Sequence, residues 1–234
     1  MLASAAVDHL IATNRVLVDK CMEIARKFMQ TNDVSHDMHH VVRVLRNALH
    51  IFHAEPSQVT VDLQTLISVV ILHDCVDKKY LPHNQTYEHV RDRFMEEMKI
   101  KLQVFSDEKI HEIIQLIEGI SFSTQMSGKI PDHVQQNPIL AIARDADRLD
   151  AIGAIGVARC CAYSAVKNRP ILLCDILAGP DDKAEASETS AVAHFHEKLL
   201  KLKDLFLTET GRKMAEKRHL VLVEFLQQLE SEVN

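Results

Sequence analysis

The sequence predicts an all-α fold, built as one helical domain. Three observations carry that prediction. Apolar residues recur at three- and four-residue spacing almost throughout, as the buried face of a helix requires. No segment shows the strict apolar–polar alternation of a half-buried strand. Only 6 Gly and 6 Pro occur in 234 residues, too few for the many turns of a strand sandwich.

The elements follow in order. Val7, Leu10, Ile11, Val16, Leu17, Met22, Ile24 and Phe28 keep a helical period and predict a first helix ending near Gln30. Ser35 is the expected N-cap of a second helix, with Val41, Val44, Leu45, Ala48, Leu49 and Phe52 facing inward and Pro56 ending it. Thr60 or Asp62 opens a third, LQTLISVVILHD, whose middle is apolar all round and should run through the core. Residues 75–84 read as a loop around Pro82. Thr86 to Ile100 is a charged amphipathic helix. Ser106, followed by acidic Asp107 and Glu108, starts another that ends at Gly119.

Residues 120–136, with Gly128 and Pro131, should be irregular. Asn137-Pro138 then supplies a cap and a proline suited to the first helical position. The run 139–167 is expected as one helix, the longest in the chain, with Gly153 and Gly156 on one face where another helix approaches. Residues 178–190 read as a polar surface loop, and two more amphipathic helices follow at about 191–207 and 209–232. Seven or eight helices are expected in all. They should form a single domain over 1–234, with a core at about 35–160 and C-terminal helices at about 188–232 packed on it.

Composition narrows the function. The net charge of −6 gives no global attraction to nucleic acid or anionic membranes. No apolar run approaches the ~20 residues of a membrane span. The N-terminal stretch lacks a basic segment followed by a continuous apolar one, so no secretory signal is expected. Five cysteines (Cys21, Cys75, Cys160, Cys161, Cys174), odd in number and without a C-x-x-C pair, read as free thiols. Cytoplasmic residence is the default expectation. Fourteen His, against 3 Tyr and no Trp, direct attention to metal binding.

Three segments set His and Asp in helical frames: Ser35 to Val44, Leu72-His73-Asp74, and Arg144 to Asp150. His73-Asp74 ends an apolar helix, where burying an ionisable pair is costly unless a cation offsets the desolvation. A lone His-Asp pair is more often a hydrogen-bonded helix end. Asp147 and Asp150 share a helix face, as do Arg144 and Arg148. The plain reading is a surface salt-bridge stripe with Asp145, Arg148 and Asp150 solvated. It fits Asp147 less well, because Ala146, Leu149 and Ile152 imply an enclosed helix.

The first segment has two sharp readings. As H-D-x-x-H, from His36 to His40, it is similar to a zinc-peptidase helix, with a shorter carboxylate in the place of the Glu. Alternatively, His40 is a single ligand, and Arg43, about one turn later, offers charge to an anionic substrate. Together, His40, His73, Asp74 and Asp147 would supply two imidazoles and two carboxylates from three helices. That set suits an open octahedral Mn²⁺, Mg²⁺, Fe²⁺, Co²⁺ or Ni²⁺ better than a closed structural zinc.

On these residues the chain resembles the HD-domain metal-dependent phosphohydrolases, in a branch that includes nucleotide pyrophosphohydrolases. The resemblance rests on His36-Asp37 to Val44, Leu72-His73-Asp74, Asp77 with Lys79, and Ser121-Phe122-Ser123. It extends through the unbroken string Asp145 to Gly156 and through His194-Phe195 with Glu197 to Leu200. It covers roughly residues 20–230. Departures fall at Cys75, Val76 and the Lys78-Lys79-Tyr80 stretch, in the substrate region.

The resemblance implies an all-helical HD fold. Its metal would be one divalent ion, Mn²⁺ or Mg²⁺ first, held by His40, His73, Asp74 and Asp147. It places His36, Asp37, Arg43, Asp77 and Lys79 around that ion. Asp74 would also orient a water, His36 would protonate the leaving oxygen, and Asp37 joins them as a catalytic candidate. Arg43, Lys78, Lys79 and Arg148 would meet phosphate charge, with Asp77 beside the substrate. The expected partner is a small phosphate ester, a nucleotide, rather than a nucleic acid polymer or membrane, and a homo-oligomer is compatible. The expected reaction is cleavage of a nucleoside triphosphate to monophosphate and pyrophosphate. Its rivals are nucleoside monophosphate hydrolysis, a metal-binding regulatory module with little turnover, and the zinc-peptidase reading.

Overall fold

The computed structural model describes residues 2–33, 36–55, 61–77, 80–81, 84–121, 124–125, 128, 130–172 and 190–233. The described residues form α-helices joined by turns and one 3-10 helix, with no strand among them. The chain groups into two compact units: Met1–Asn32 with His36–Ala146, and Asp33–Ser35 with Asp147–Asn234. No single helix among the described residues is long and apolar enough to cross a membrane.

In the first unit, α1 (Leu2–Thr13) and α2 (Arg15–Phe28) replace the single helix expected before Gln30. The break has a local cause. The Thr13 hydroxyl donates to the His9 carbonyl at 3.0 Å, and Asn14 Nδ2 donates to the Leu10 carbonyl at 2.9 Å. Both side chains compete with the backbone ladder and end the helix. The next helix, α3 (Met38–Ala54), is capped by Asp37, whose Oδ1 accepts from the His40 amide at 2.8 Å. The cap therefore falls two residues beyond Ser35, which with Pro56 and Thr60 lies outside the described residues. His36 precedes the helix.

The core of this unit is α4 (Leu63–Leu72), buried at every position from Thr65 to Leu72, as its unbroken apolar run requires. Asp62 caps it, accepting from the Gln64 amide at 3.1 Å. It packs against α2, α3 and α6. Thr86 caps α5 (Tyr87–Lys101) and Ser106 caps α6 (Asp107–Ile120), each accepting a backbone N–H. A short helix, α7 (Asp132–Gln135), occupies part of the stretch expected to be irregular. Asn137 Oδ1 accepts from the Ile139 amide at 2.9 Å at the start of α8 (Pro138–Asp150).

The expected long helix over 139–167 is two helices, because the chain breaks at Ala151–Ile152 before α9 (Gly153–Val166). Gly153 takes a φ of +76°, a left-handed conformation that favours glycine and interrupts the ladder. In the second unit α9 packs on α11 (Glu209–Val233) and α10 (Ala191–Glu197). The expected helix over 191–207 ends at Glu197 and the chain continues as a 3-10 helix, Leu199–Leu205. Most of the expected 178–190 loop, residues 178–189, lies outside the described residues.

The expected solvated stripe on α8 is corrected. Asp145, Arg148 and Asp150 are all buried, and it is Asp147 that is half-buried. Backbone carbonyls and a paired cation offset the burial of Arg144, Arg148 and Asp150. Arg144, wholly buried, donates from Nε and Nη2 to the Gly119 carbonyl at 3.0 and 2.8 Å. Arg148 Nη1 donates to the Leu205 carbonyl at 2.5 Å. Asp150 pairs with Arg159 at 3.1 Å. Of the cysteines, Cys21, Cys75, Cys160 and Cys161 are unpaired, as expected. Burial pushes the Cys21 thiol up to about 12, so it behaves as a small apolar side chain.

Candidate metal centre

The centre lies in the first unit, where the start of α3 meets the end of α4. The Asp37 cap fixes the first turn of α3, and the amide that bonds it belongs to His40. Capping and ligand placement are thus one local event. Asn47, about two turns further along α3, donates from Nδ2 to the Ala146 carbonyl at 3.1 Å and ties α3 to α8. The apolar α4 drives itself into the core and carries His73 and Asp74 with it at its C-terminal end.

Donor atoms of three residues converge there. His40 Nε2 lies 3.2 Å from His73 Nε2. His40 Nε2 is 3.4 Å from Asp74 Oδ2, and His73 Nε2 is 3.4 Å from Asp74 Oδ1. The side chains of His40, His73 and Asp74 are 0%, 3% and 12% exposed. Among the described residues, these three form a His/Asp group whose candidate ligand atoms lie within 4.8 Å of one another.

The donor chemistry fits a cation. Asp74 Oδ2 is buried without a hydrogen bond, and leaving such an acceptor unsatisfied costs about 1–3 kcal/mol. His73 Nδ1 stands 2.8 Å from the Val70 carbonyl, an acceptor, so Nδ1 carries the proton and Nε2 presents its lone pair to the cluster. At metal–ligand distances of about 2.1 Å, neighbouring donors stand about 3.0 Å apart around an octahedral ion and about 3.4 Å around a tetrahedral one. The observed separations match an inner coordination shell. Burial pushes the Asp74 carboxyl up, but the facing imidazoles of His73, His40 and His36 outweigh it and hold the group well below the usual carboxylate range.

The other expected residues sit as follows. The His36 ring packs edge-on to His40, with centroids 5.6 Å apart, and its Nδ1 is 3.0 Å from the Tyr80 hydroxyl. Because His36 precedes α3, it cannot form a two-histidine pair on one helix with His40, and the zinc-peptidase reading is corrected. Arg43 is half-buried on α3. Lys78 and Lys79 lie outside the described residues. Asp147 and Arg148 belong to the second unit.

A cleft of about 180 Å³ opens beside Asp74 and is lined by Asp77, Tyr80, Asn32, Lys27 and Arg93 among others. Asp77 and Tyr80 are linked by a backbone bond, Tyr80 N–H to the Asp77 carbonyl at 3.1 Å. The sequence reading missed Tyr80, Val70 and Asn47 as contributors. Tyr80 has no regular spacing from His36, and a backbone carbonyl such as that of Val70 leaves no trace in residue type.

No protein-family model matches the chain. It is 33% identical to the uncharacterised protein YpgQ of Bacillus subtilis over 200 residues, covering 85% of this chain and 84% of YpgQ. Its fold is similar to that of a structural-genomics target from Lactobacillus plantarum, with a TM-score of 0.71 and 25% identity over 92% of this chain and 96% of that one. It is also similar to an HD-superfamily hydrolase from Bacillus thuringiensis, with a TM-score of 0.65 and 25% identity over 92% of this chain and 95% of that one. YpgQ has been crystallised in complex with ADP; that structure matches with a TM-score of 0.65 and 26% identity, covering 93% of this chain and 97% of that one.

Proposed function

Because the chain belongs to the HD-superfamily hydrolases of the YpgQ family, we propose that it hydrolyses nucleoside triphosphates to monophosphate and pyrophosphate with one divalent metal ion. The observation that carries this reading is the triangle of His40 Nε2, His73 Nε2 and the Asp74 carboxylate, with Asp74 Oδ2 buried and unsatisfied. The ADP complex of YpgQ supports a nucleotide as the ligand class. Mn²⁺ or Mg²⁺ is the preferred ion for a mixed imidazole and carboxylate set, and Asp147 joins as a further donor on the sequence resemblance alone.

Bound there, a divalent cation supplies Lewis acidity, lowering the pKa of water and drawing charge from a phosphoryl oxygen. The chain's own residues do the rest. Asp74 orients the attacking water. The water gives one proton to solvent and its oxygen bonds to phosphorus as the bond to the leaving oxygen breaks, and His36 gives that leaving oxygen a proton. Arg43 and the Lys78-Lys79 pair meet the phosphate charge. Asp77 borders the substrate in the cleft beside Asp74. Asp37 holds His40 in register through its cap. Arg148 is assigned to phosphate charge as well on the sequence resemblance alone, and its guanidinium donates to the Leu205 carbonyl.

The test is a product assay. Purified protein is stripped of metal, Mn²⁺ or Mg²⁺ is restored, and nucleoside tri-, di- and monophosphates are offered, with pyrophosphate and orthophosphate detected separately. Pyrophosphate from triphosphates, absent with His73→Ala, is the expected result. Orthophosphate from monophosphates would keep the centre and replace the reaction.

A further inference from the structure

The loop after α4 brings Tyr80 back to His36, 44 residues earlier in the chain. The phenolic oxygen stands 3.0 Å from His36 Nδ1, and the two rings pack with centroids 5.6 Å apart. Tyr80 is held in turn by its own amide, which donates to the Asp77 carbonyl at 3.1 Å. On its other side, the His36 ring meets His40 edge-on. The imidazole is thus seated between a phenol and a metal-centre histidine, and its Nδ1 is in hydrogen-bond reach of the phenol.

We propose that Tyr80 is a positioning residue: its oxygen accepts a hydrogen bond from His36 Nδ1–H, fixing the ring and its tautomer so that Nε2 is the nitrogen that transfers a proton. The direction of the bond follows from chemistry. An imidazolium ready to give up a proton has only N–H groups, so at 3.0 Å its Nδ1 must donate and the phenolic oxygen must accept. Once Nε2 has released its proton to the leaving oxygen, the same bond holds the neutral ring as the Nδ1–H tautomer. Nε2 is then left as the site that regains a proton from solvent. His73 uses the Val70 carbonyl in the same way to direct its own Nε2.

The inference rests on the proposed hydrolysis for its kinetic consequence, and it has a second readout that does not. Long-range ¹H–¹⁵N NMR of the metal-free protein, followed to alkaline pH until the ring signals stop moving, reports the tautomer of neutral His36. His36→Gln assigns its signals. The expected result is Nδ1–H in the wild type, reverting toward the Nε2–H form in Tyr80→Phe, with the thermal midpoint unchanged.

In the nucleotide assay, Tyr80→Phe should lower kcat about tenfold with KM little changed, a part of the 10²–10⁴-fold that a placed acid contributes. It should cost nothing further in a His36→Gln background. An Nε2–H tautomer in the wild type, or no tautomer change in Tyr80→Phe, overturns the proposal whatever the substrate. Equal losses from Tyr80→Phe with and without His36 overturn it as well. If no nucleotide is cleaved, the proposed reaction fails while the tautomer still decides the pairing.

Discussion

His73 Nδ1 is bound to the carbonyl of Val70, three residues earlier, at 2.8 Å. That carbonyl lies at the C-terminal end of α4, where backbone oxygens lack partners within the helix. A histidine at the first position past such a helix can fold back onto one. The same bond satisfies the helix end and turns Nε2 toward His40 and Asp74. The centre is thus arranged by the helix before any ion enters.

Metal binding should therefore stabilise a site that is already formed. A ligand at a hundredfold excess over its Kd adds about 2.7 kcal/mol to folding stability. Mn²⁺ added to the stripped protein should raise its thermal midpoint. His73→Ala and Asp74→Asn should abolish that rise and the stoichiometric metal measured by elemental analysis. A rise retained in both variants would place the ion elsewhere.

Asp37 separates a structural role from a chemical one. Its carboxylate caps α3 on the amide of His40, and replacing a cap by Ala costs about 1 kcal/mol. Asn caps nearly as well as Asp. In urea unfolding, Asp37→Ala should lower the midpoint while Asp37→Asn leaves it close to wild type. If capping is the whole role, Asp37→Asn also keeps kcat. A loss of kcat in the stable Asn variant would assign Asp37 a part in the chemistry.

Acid should destabilise the metal-free protein through Asp74. Its folded pKa is depressed, because the stabilising charges of His73, His40 and His36 outweigh the cost of burial. A depressed carboxyl contributes stability that is present above its unfolded pKa of about 3.9 and is lost as pH falls through the folded value. The metal-free wild type should lose stability below about pH 4. Asp74→Asn should show a shallower loss over that range in denaturant titrations at stepped pH.

Much of this was legible in the sequence. The caps at Ser106 and Asn137 read correctly, and Asp62 was one of two candidates, because short polar side chains before an apolar period have one common use; Thr86, read as the first residue of its helix, is its cap. The His40, His73 and Asp74 cluster was legible only from the His and Asp segments taken together and from the family resemblance they carry, since the His73-Asp74 pair alone reads as a hydrogen-bonded helix end. The α1–α2 break was not, because Thr13 and Asn14 do not interrupt the apolar period and act only through local side-chain bonds. The burial of Asp145, Arg148 and Asp150 was hidden for a related reason. A charged stripe reads as solvent-facing, and the Gly119 and Leu205 carbonyls that accept from Arg144 and Arg148 have no sequence signature. The Tyr80–His36 bond spans 44 residues and follows no period.

The two glycines of the Asp145 to Gly156 string look alike in sequence and differ in the structure. Gly153 takes a left-handed φ of +76°, and a Cβ there would meet the Cβ and Cγ of Arg218 on α11 at 3.1 Å. Arg218 also donates to the Leu149 carbonyl, so its stem is not free to retreat. A left-handed residue other than glycine costs about 1–2 kcal/mol before any crowding. At Gly156 the φ is ordinary, but a Cβ would come within 2.4 Å of the Ala151 carbonyl oxygen. That neighbour is backbone and cannot rotate away. Gly156→Ala should therefore be the more destabilising, because the break between α8 and α9 must open to admit the methyl group. Gly153→Ala should cost a few kcal/mol at most. Urea midpoints of the two variants, measured with equal m-values, decide the order. The reverse order would mean that the turn at Ala151–Ile152 yields more easily than the packing of Arg218 on Gly153.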